Sequence, residues 1–307
     1  MQIRTIRMIA GIALILICIF CLYRHPELLT SLGHITVVDF IYLVILSILI
    51  MFALGIQFKC FILMFNLKLP IHEWFGLTVV NSMLNYYFPA KSGLMMRGAY
   101  LKRQYDISLT SYTSSAIVSH LLMLGIVSVL GFLFSMIMAS KDLYSNNIIL
   151  LSFFFGVIAL LITCFSLFIS KLSNMIQFKS INLFLQHFSE GLQFWKSNKQ
   201  TLLTFSMLVV LLIFLWGLRL YVCFISLGQS VDFFKIIIIE CLICLSFVIS
   251  VTPGNLGIKE GITVFIANYL NISPSTALLA SLIDRSVEML MVFIIGLIFS
   301  CILIRDR

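Results

Sequence analysis

Two short stretches combine proline, glycine and charge in a way that suits ligand binding. The first reads Phe88-Pro89-Ala90-Lys91-Ser92-Gly93-Leu94-Met95-Met96-Arg97, and the second Thr252-Pro253-Gly254-Asn255-Leu256-Gly257-Ile258-Lys259-Glu260-Gly261. Gly93, Gly254 and Gly257 let the backbone turn tightly and come close to a ligand. A helix that starts after such a turn presents free N–H groups at the positive end of its dipole, which favours an anion. Arg97 and Lys259 add positive charge, and Glu260 offers a carboxylate to balance or gate it. The chemistry these residues support is capture of an anionic group such as a lipid phosphate. For Lys91 a plainer reading is preferred, a turn residue whose ammonium extends to the membrane interface.

A third group, Asp284, Arg285 and Glu288, falls within an apolar run near the C-terminus. Arg285 and Glu288 are spaced i, i+3 and are expected to pair on one helix face. Charges in such a run are costly and face a cavity or one another. The group therefore reads either as a structural ion pair or as a headgroup or gating contact that involves Glu260. His120 reads as a packing histidine, and Asn81, Asn85 and Glu240 as sources of helix-to-helix hydrogen bonds. No nucleophile–base pair, phosphate-binding loop or dinucleotide-binding glycine pattern appears, and the glycine motifs lack the strand-before-helix context such sites need. The expectation is a protein that is not an enzyme, with no catalytic residue, no cofactor and no metal. Cys241 and Cys244 have metal-like spacing but no second ligand pair, so the eight cysteines read as small buried thiols.

These residues must be positioned by membrane-embedded helices. Of 307 residues, 61% are apolar and only 10% charged, and the mean hydropathy is +1.13. A soluble exterior would need far more charge. The net charge of +8 comes from Lys and Arg at the ends of apolar runs, where they set topology and meet anionic lipid rather than nucleic acid. Apolar runs predict an all-α, polytopic fold with about eight spans, at 6–23, 37–58, 71–88, 110–138, 148–170, 201–225, 233–252 and 276–303. The first reads as an uncleaved signal anchor. Two shorter proline-led segments, 89–106 and 253–271, read as broken or re-entrant half-helices, with full crossing favoured. Positive-inside counting on Arg4, Arg7, Lys59, Lys68, Arg305 and Arg307 puts both termini in the cytoplasm. Segment 171–199, with four lysines and regularly spaced apolar residues, reads as a cytoplasmic helix on the membrane surface.

The proline-led segments repeat. Pro89-x-x-x-Gly93 recurs as Pro253-x-x-x-Gly257, 164 positions later, and Asp106-Ile107-Ser108 faces Asn271-Ile272-Ser273 at an offset of 165. At that same offset Gly131, Phe134 and His120 face Gly296, Phe299 and Arg285. The expected units are repeat 1 at 37–138 and repeat 2 at 201–303, inverted relative to each other. Inverted repeats with broken helices are a transporter architecture, because freed backbone groups must line a polar cavity or bind substrate.

The two motifs resemble the transmembrane region of the lysylphosphatidylglycerol synthase/flippase family. Its first segment follows P-x-x-x-G-E-x-x-R, matched here by Pro89, Gly93 and Arg97. Its second follows P-G-G-x-G-x-x-E, matched by Pro253, Gly254, Gly257 and Glu260, and a later Arg is matched by Arg285. Leu94 stands where the family usually has Glu, and Asn255 replaces a Gly. The resemblance covers about 40–303 and lacks the soluble aminoacyl-transferase domain of the larger relatives. It implies translocation of an anionic phospholipid or polyprenyl-linked glycan in cell-envelope biogenesis. Pro89, Gly93, Arg97, Pro253, Gly254, Gly257, Lys259, Glu260, Arg285 and Glu288 are the candidate substrate-binding residues. The alternative is a non-transporting subunit that holds a glycosyltransferase partner on the 171–199 helix. An intramembrane enzyme is a third and weaker reading.

Overall fold

A computed structural model describes residues 36–88, 91–141, 146–172, 179–247 and 252–305. The described chain is helical: α1 Val37–Ile62, α2 Ile71–Tyr87, α3 Ser92–Tyr105, α4 Leu109–Lys141, α5 Asn146–Leu172, α6 Lys179–Ser197, α7 Lys199–Ser226, α8 Phe233–Ser246, α9 Ile258–Tyr269 and α10 Pro274–Arg305. No strand occurs among the described residues. The first expected span, 6–23, lies outside them. Five helices (α1, α4, α5, α7 and α10) are long and apolar enough to cross a membrane. Their outward faces carry large apolar side chains, including Phe153, Leu160 and Phe293. That surface is stable in lipid and not in water, and the chain is a polytopic membrane protein.

Local chemistry sets the helix ends. Thr36 caps α1: its Oγ1 accepts the Asp39 N–H at 3.2 Å, and Asp39 Oδ2 accepts the Thr36 N–H at 3.0 Å. Asp232 caps α8 by accepting the Phe234 N–H at 2.8 Å. Asn66, Asp106 and Asn271 adopt left-handed conformations where helices end, a role their short polar side chains tolerate.

Four helices are short. α2 has 17 residues, α3 14, α8 14 and α9 12, so each is about 18–25 Å long, under the ~30 Å hydrocarbon core. They pair into two antiparallel hairpins. In the first, Ser92 meets Leu84, Arg97 meets Leu77, and Tyr105 hydrogen-bonds Glu73. In the second, Lys235 Nζ donates to Leu270 O at 2.7 Å, closing the base.

The 32-residue helix α10 measures how deep each hairpin reaches. Gly76 packs on Phe299 and Leu303, and the Tyr87 hydroxyl donates to Met289 O at 3.2 Å. The first hairpin therefore covers one half of α10. The second comes from the opposite end, with Lys259 and Asn255 on Asp284 and Arg285. The tips meet where a Cβ on Gly254 would lie 2.6 Å from the Tyr86 ring.

The expected segments 71–88 and 89–106 pair as the antiparallel helices α2 and α3, and 233–252 and 253–271 pair as α8 and α9. A run such as 71–88 is apolar enough to read as a span, but its partner helix brings the chain back beside it. Among the remaining contacts, α1 packs on α7, α2 on α10, and α8 on α4. The surface-helix segment corresponds to α6, which is folded onto α4, α5 and α7 with Phe188 and Trp195 buried.

Candidate functional site

The two hairpin tips differ in chemistry. At the first, Lys91 adopts a left-handed conformation (φ 52°) and starts α3. Asn85 Oδ1 accepts the Gly93 N–H at 3.0 Å, and Ser92 Oγ donates to Leu84 O at 2.9 Å. These bonds clamp the start of α3 to α2, so close that a Cβ on Gly93 would sit 2.1 Å from Asn81 O. Pro89 lies outside the described residues.

At the second tip, Pro253–Asn255 form a single 3-10 turn, and Gly254 (φ 55°) and Gly257 (φ 84°) supply the left-handed steps. Glu260 Oε2 accepts the Gly257 N–H at 2.7 Å. Its Oε1 lies 2.5 Å from Arg285 Nε, an ion pair by distance although not aligned as a hydrogen bond. Arg285 also donates to Asn255 O at 3.2 Å. Glu260 is thus both the cap of α9 and the counter-ion of Arg285.

The expected Arg285–Glu288 pair is not formed. Glu288 turns to Arg219 at 2.5 Å, because each residue has a stronger partner on a neighbouring helix than an i, i+3 contact worth a few tenths of a kcal/mol. Arg219, on α7, was not singled out from the sequence, although an arginine in the middle of an apolar span is a sufficient signal. It is 1% exposed. Its Nε donates to Asp284 Oδ1 at 2.6 Å, and its NH1 reaches Ser47 Oγ at 3.4 Å. Lys259 Nζ donates to Asp284 Oδ2 at 2.5 Å. Three buried cations (Arg219, Lys259 and Arg285) are therefore matched by Asp284, Glu288 and Glu260. Glu240, buried on α8, interacts electrostatically with Lys259. The three cations and the three carboxylates paired with them neutralise one another, as buried charge must.

On the other side of the tips, toward the base of the first hairpin, is a cavity of ≈ 320 Å³. Its walls include Asn81, Lys91, Leu94, Arg97, His120 and Glu288. Arg97 lies over the Phe58 ring, with Cζ 3.9 Å from the centroid, and beside the Tyr112 side chain. Its one backbone contact is a long bond to Leu77 O at 3.4 Å, and its buried Nε has no protein partner. Asn81 Oδ1 is likewise buried without a protein partner. His120 Nδ1 is satisfied by Ala116 O at 2.7 Å; its ring is exposed by area yet deep in the bundle, so the exposed surface is cavity wall. Among the described residues no ion pair involves Arg97 or Lys91.

The candidate residues thus divide. Arg97, Gly254 and Glu288 line the cavity, with Gly93 holding α3 against its wall. Gly257, Lys259, Glu260 and Arg285 belong to the neutralised network. The arrangement can accept an anion at Arg97 and Lys91, and it encloses no free carboxylate, because Glu288 is the one acidic residue among the described lining and is held by Arg219.

Comparison with known proteins places this chain in a family. The family model described as "Lysylphosphatidylglycerol synthase TM region" matches residues 8–296. A "UPF0104 membrane protein MJ1078" from Methanocaldococcus jannaschii is 25% identical over 229 residues, 73% of this chain and 95% of that protein. A "UPF0104 membrane protein" from Methanothermobacter thermautotrophicus is 36% identical over 87 residues, 27% of this chain; the match spans only 25% of that relative's length. No solved structure matches. With all but the ends of the chain matched, the protein belongs to the family of the lysylphosphatidylglycerol synthase transmembrane region.

Proposed function

We propose that the protein translocates a lipid with an anionic headgroup across a cytoplasmic membrane, through the cavity between two inverted repeats, in cell-envelope biogenesis. The observation that carries the reading is the cavity itself: Arg97 and Lys91 face it without a carboxylate, at the meeting point of two hairpins. An unpaired guanidinium in a low-dielectric interior costs several kcal/mol on the order of a buried ion. Part of this is offset by the Phe58 ring, about 2 kcal/mol, and by the neighbouring Tyr112 side chain. A phosphate supplies the rest.

The helix pairing supports the repeats. Exchanging α1–α4 for α7–α10 converts the α2–α10 contact into the α8–α4 contact and leaves α1–α7 unchanged. The hairpins enter from opposite ends of α10, which supports inversion. With 71–105 and 233–269 as re-entrant units, Lys68, Lys102, Arg103 and the end of α10 fall on one side, the side positive-inside counting assigns to the cytoplasm. The cavity then faces the cytoplasmic leaflet, and the ion-pair network closes the opposite half. The family's name ties it to phospholipid, which favours a lipid over a soluble anion, and the function is transport rather than catalysis.

Lipid mass spectrometry on purified protein tests the reading. Wild type is expected to retain anionic lipid above its abundance in the membrane, and Arg97→Gln to lose that enrichment. Equal lipid profiles for the two would remove Arg97 from the site.

A further inference from the structure

The cavity carries information about which anionic lipid it takes. Its cations, Lys91 and Arg97, are free of carboxylates, whereas its one acidic lining residue, Glu288, is 2.5 Å from Arg219 and has no charge left to offer. A headgroup ammonium entering this space would meet two like charges and no counter-ion, a juxtaposition that costs several kcal/mol. Two buried polar atoms in the wall lack a protein partner and have opposite needs. Arg97 Nε needs an acceptor, and Asn81 Oδ1 needs a donor. A phosphate oxygen meets the first need and a neutral hydroxyl the second, without adding positive charge.

Leu94 decides the sign of the site. It lines the cavity one helical turn before Arg97, the spacing at which a carboxylate would pair with that guanidinium. A leucine there leaves Arg97 available to ligand.

We infer that the cavity selects a headgroup carrying phosphate and hydroxyls but no fixed positive charge, and that Leu94 is the residue that enforces the choice. The inference rests on the cavity being the lipid site. The same chemistry could come from a lipid or from a free phosphorylated polyol, and the test separates them.

The test measures binding of short-chain phosphatidylglycerol, short-chain phosphatidylethanolamine and free glycerol 3-phosphate to the full-length purified protein. Wild type is expected to bind phosphatidylglycerol at least tenfold more tightly than phosphatidylethanolamine. Free glycerol 3-phosphate is expected to bind more weakly than the lipid; equal binding would keep the selectivity and transfer it to a soluble ligand. Leu94→Glu, which places a carboxylate beside Arg97, should weaken phosphatidylglycerol at least tenfold and abolish the preference. Leu94→Gln, of similar size but uncharged, should keep phosphatidylglycerol preferred, so that a general loss of folding is distinguished from a change of charge. Equal affinity of wild type for the two lipids overturns the selectivity alone. Binding of neither lipid nor glycerol 3-phosphate overturns both the selectivity and the reading of the cavity. An unchanged preference in Leu94→Glu removes Leu94 as the selector.

Discussion

Asp284 serves two cations at once, and this sets the cost of each substitution around it. Its Oδ1 accepts from Arg219 and its Oδ2 from Lys259. Asp284→Asn leaves Lys259 with no ion pair, a change expected to cost about 3–5 kcal/mol of stability. Lys259→Met removes a cation but leaves the Arg219–Asp284 bidentate contact, and should cost no more than about 1–2 kcal/mol. Thermal unfolding of the purified variants checks the order; equal losses would show that Lys259 and Arg219 do not share the carboxylate. Glycines give a second contrast. A Cβ at Gly93 runs into the Asn81 carbonyl, whereas one at Gly261 meets nothing within 4 Å. Gly93→Ala should destabilise by about 1–3 kcal/mol or more, and Gly261→Ala should be neutral or stabilising by up to about 1 kcal/mol, as read by the same melts. The motif residues were legible because proline, glycine and charge stand out locally. Their pairing was not. Arg219 and Asp284 are 65 positions apart, and only the fold reveals that Lys259 and Arg285 are neutralised while Arg97 has no carboxylate beside it.

At the scale of elements, the long helices could be read from apolar runs: the expected 201–225 and 276–303 became Lys199–Ser226 and Pro274–Arg305. The hairpins could not, because hydropathy reports what surrounds a residue and not how deep it lies. A 17-residue apolar helix such as α2 fits a span nearly as well as half of a re-entrant pair. The hairpin geometry makes a distinct prediction for cysteines placed at Ile71 and Gln104, at the open end of the first hairpin, in a chain whose native cysteines are replaced. Both should react with an impermeant thiol reagent from the same face of the membrane. Cysteines at Gln229 and Ser273 should both react from the opposite face. A cysteine at Ser92, at the hairpin tip, should be shielded from the reagent on the far face, and its labelling from that face would restore the crossing topology.

For the whole molecule, the two halves have divided their labour. One tip is locked by paired charges, while the other opens onto a cavity with unpaired cations. In a transporter of two inverted repeats this asymmetry corresponds to one resting state, with the cavity open toward the leaflet nearer Lys68 and Lys102 and the network closing the far side. Glu260 and Arg285, expected from the sequence to meet substrate, are paired with each other. Their loss should damage folding and movement together, whereas Arg97 separates the two. The most direct test of lipid translocation is a reconstituted-liposome assay that follows movement of fluorescent phosphatidylglycerol between leaflets. Wild type should move it faster than protein-free liposomes, and Arg97→Gln, with an unfolding temperature close to wild type, should lower that added rate at least tenfold. A wild-type rate no greater than that of protein-free liposomes, or an Arg97→Gln rate equal to wild type, would contradict the account.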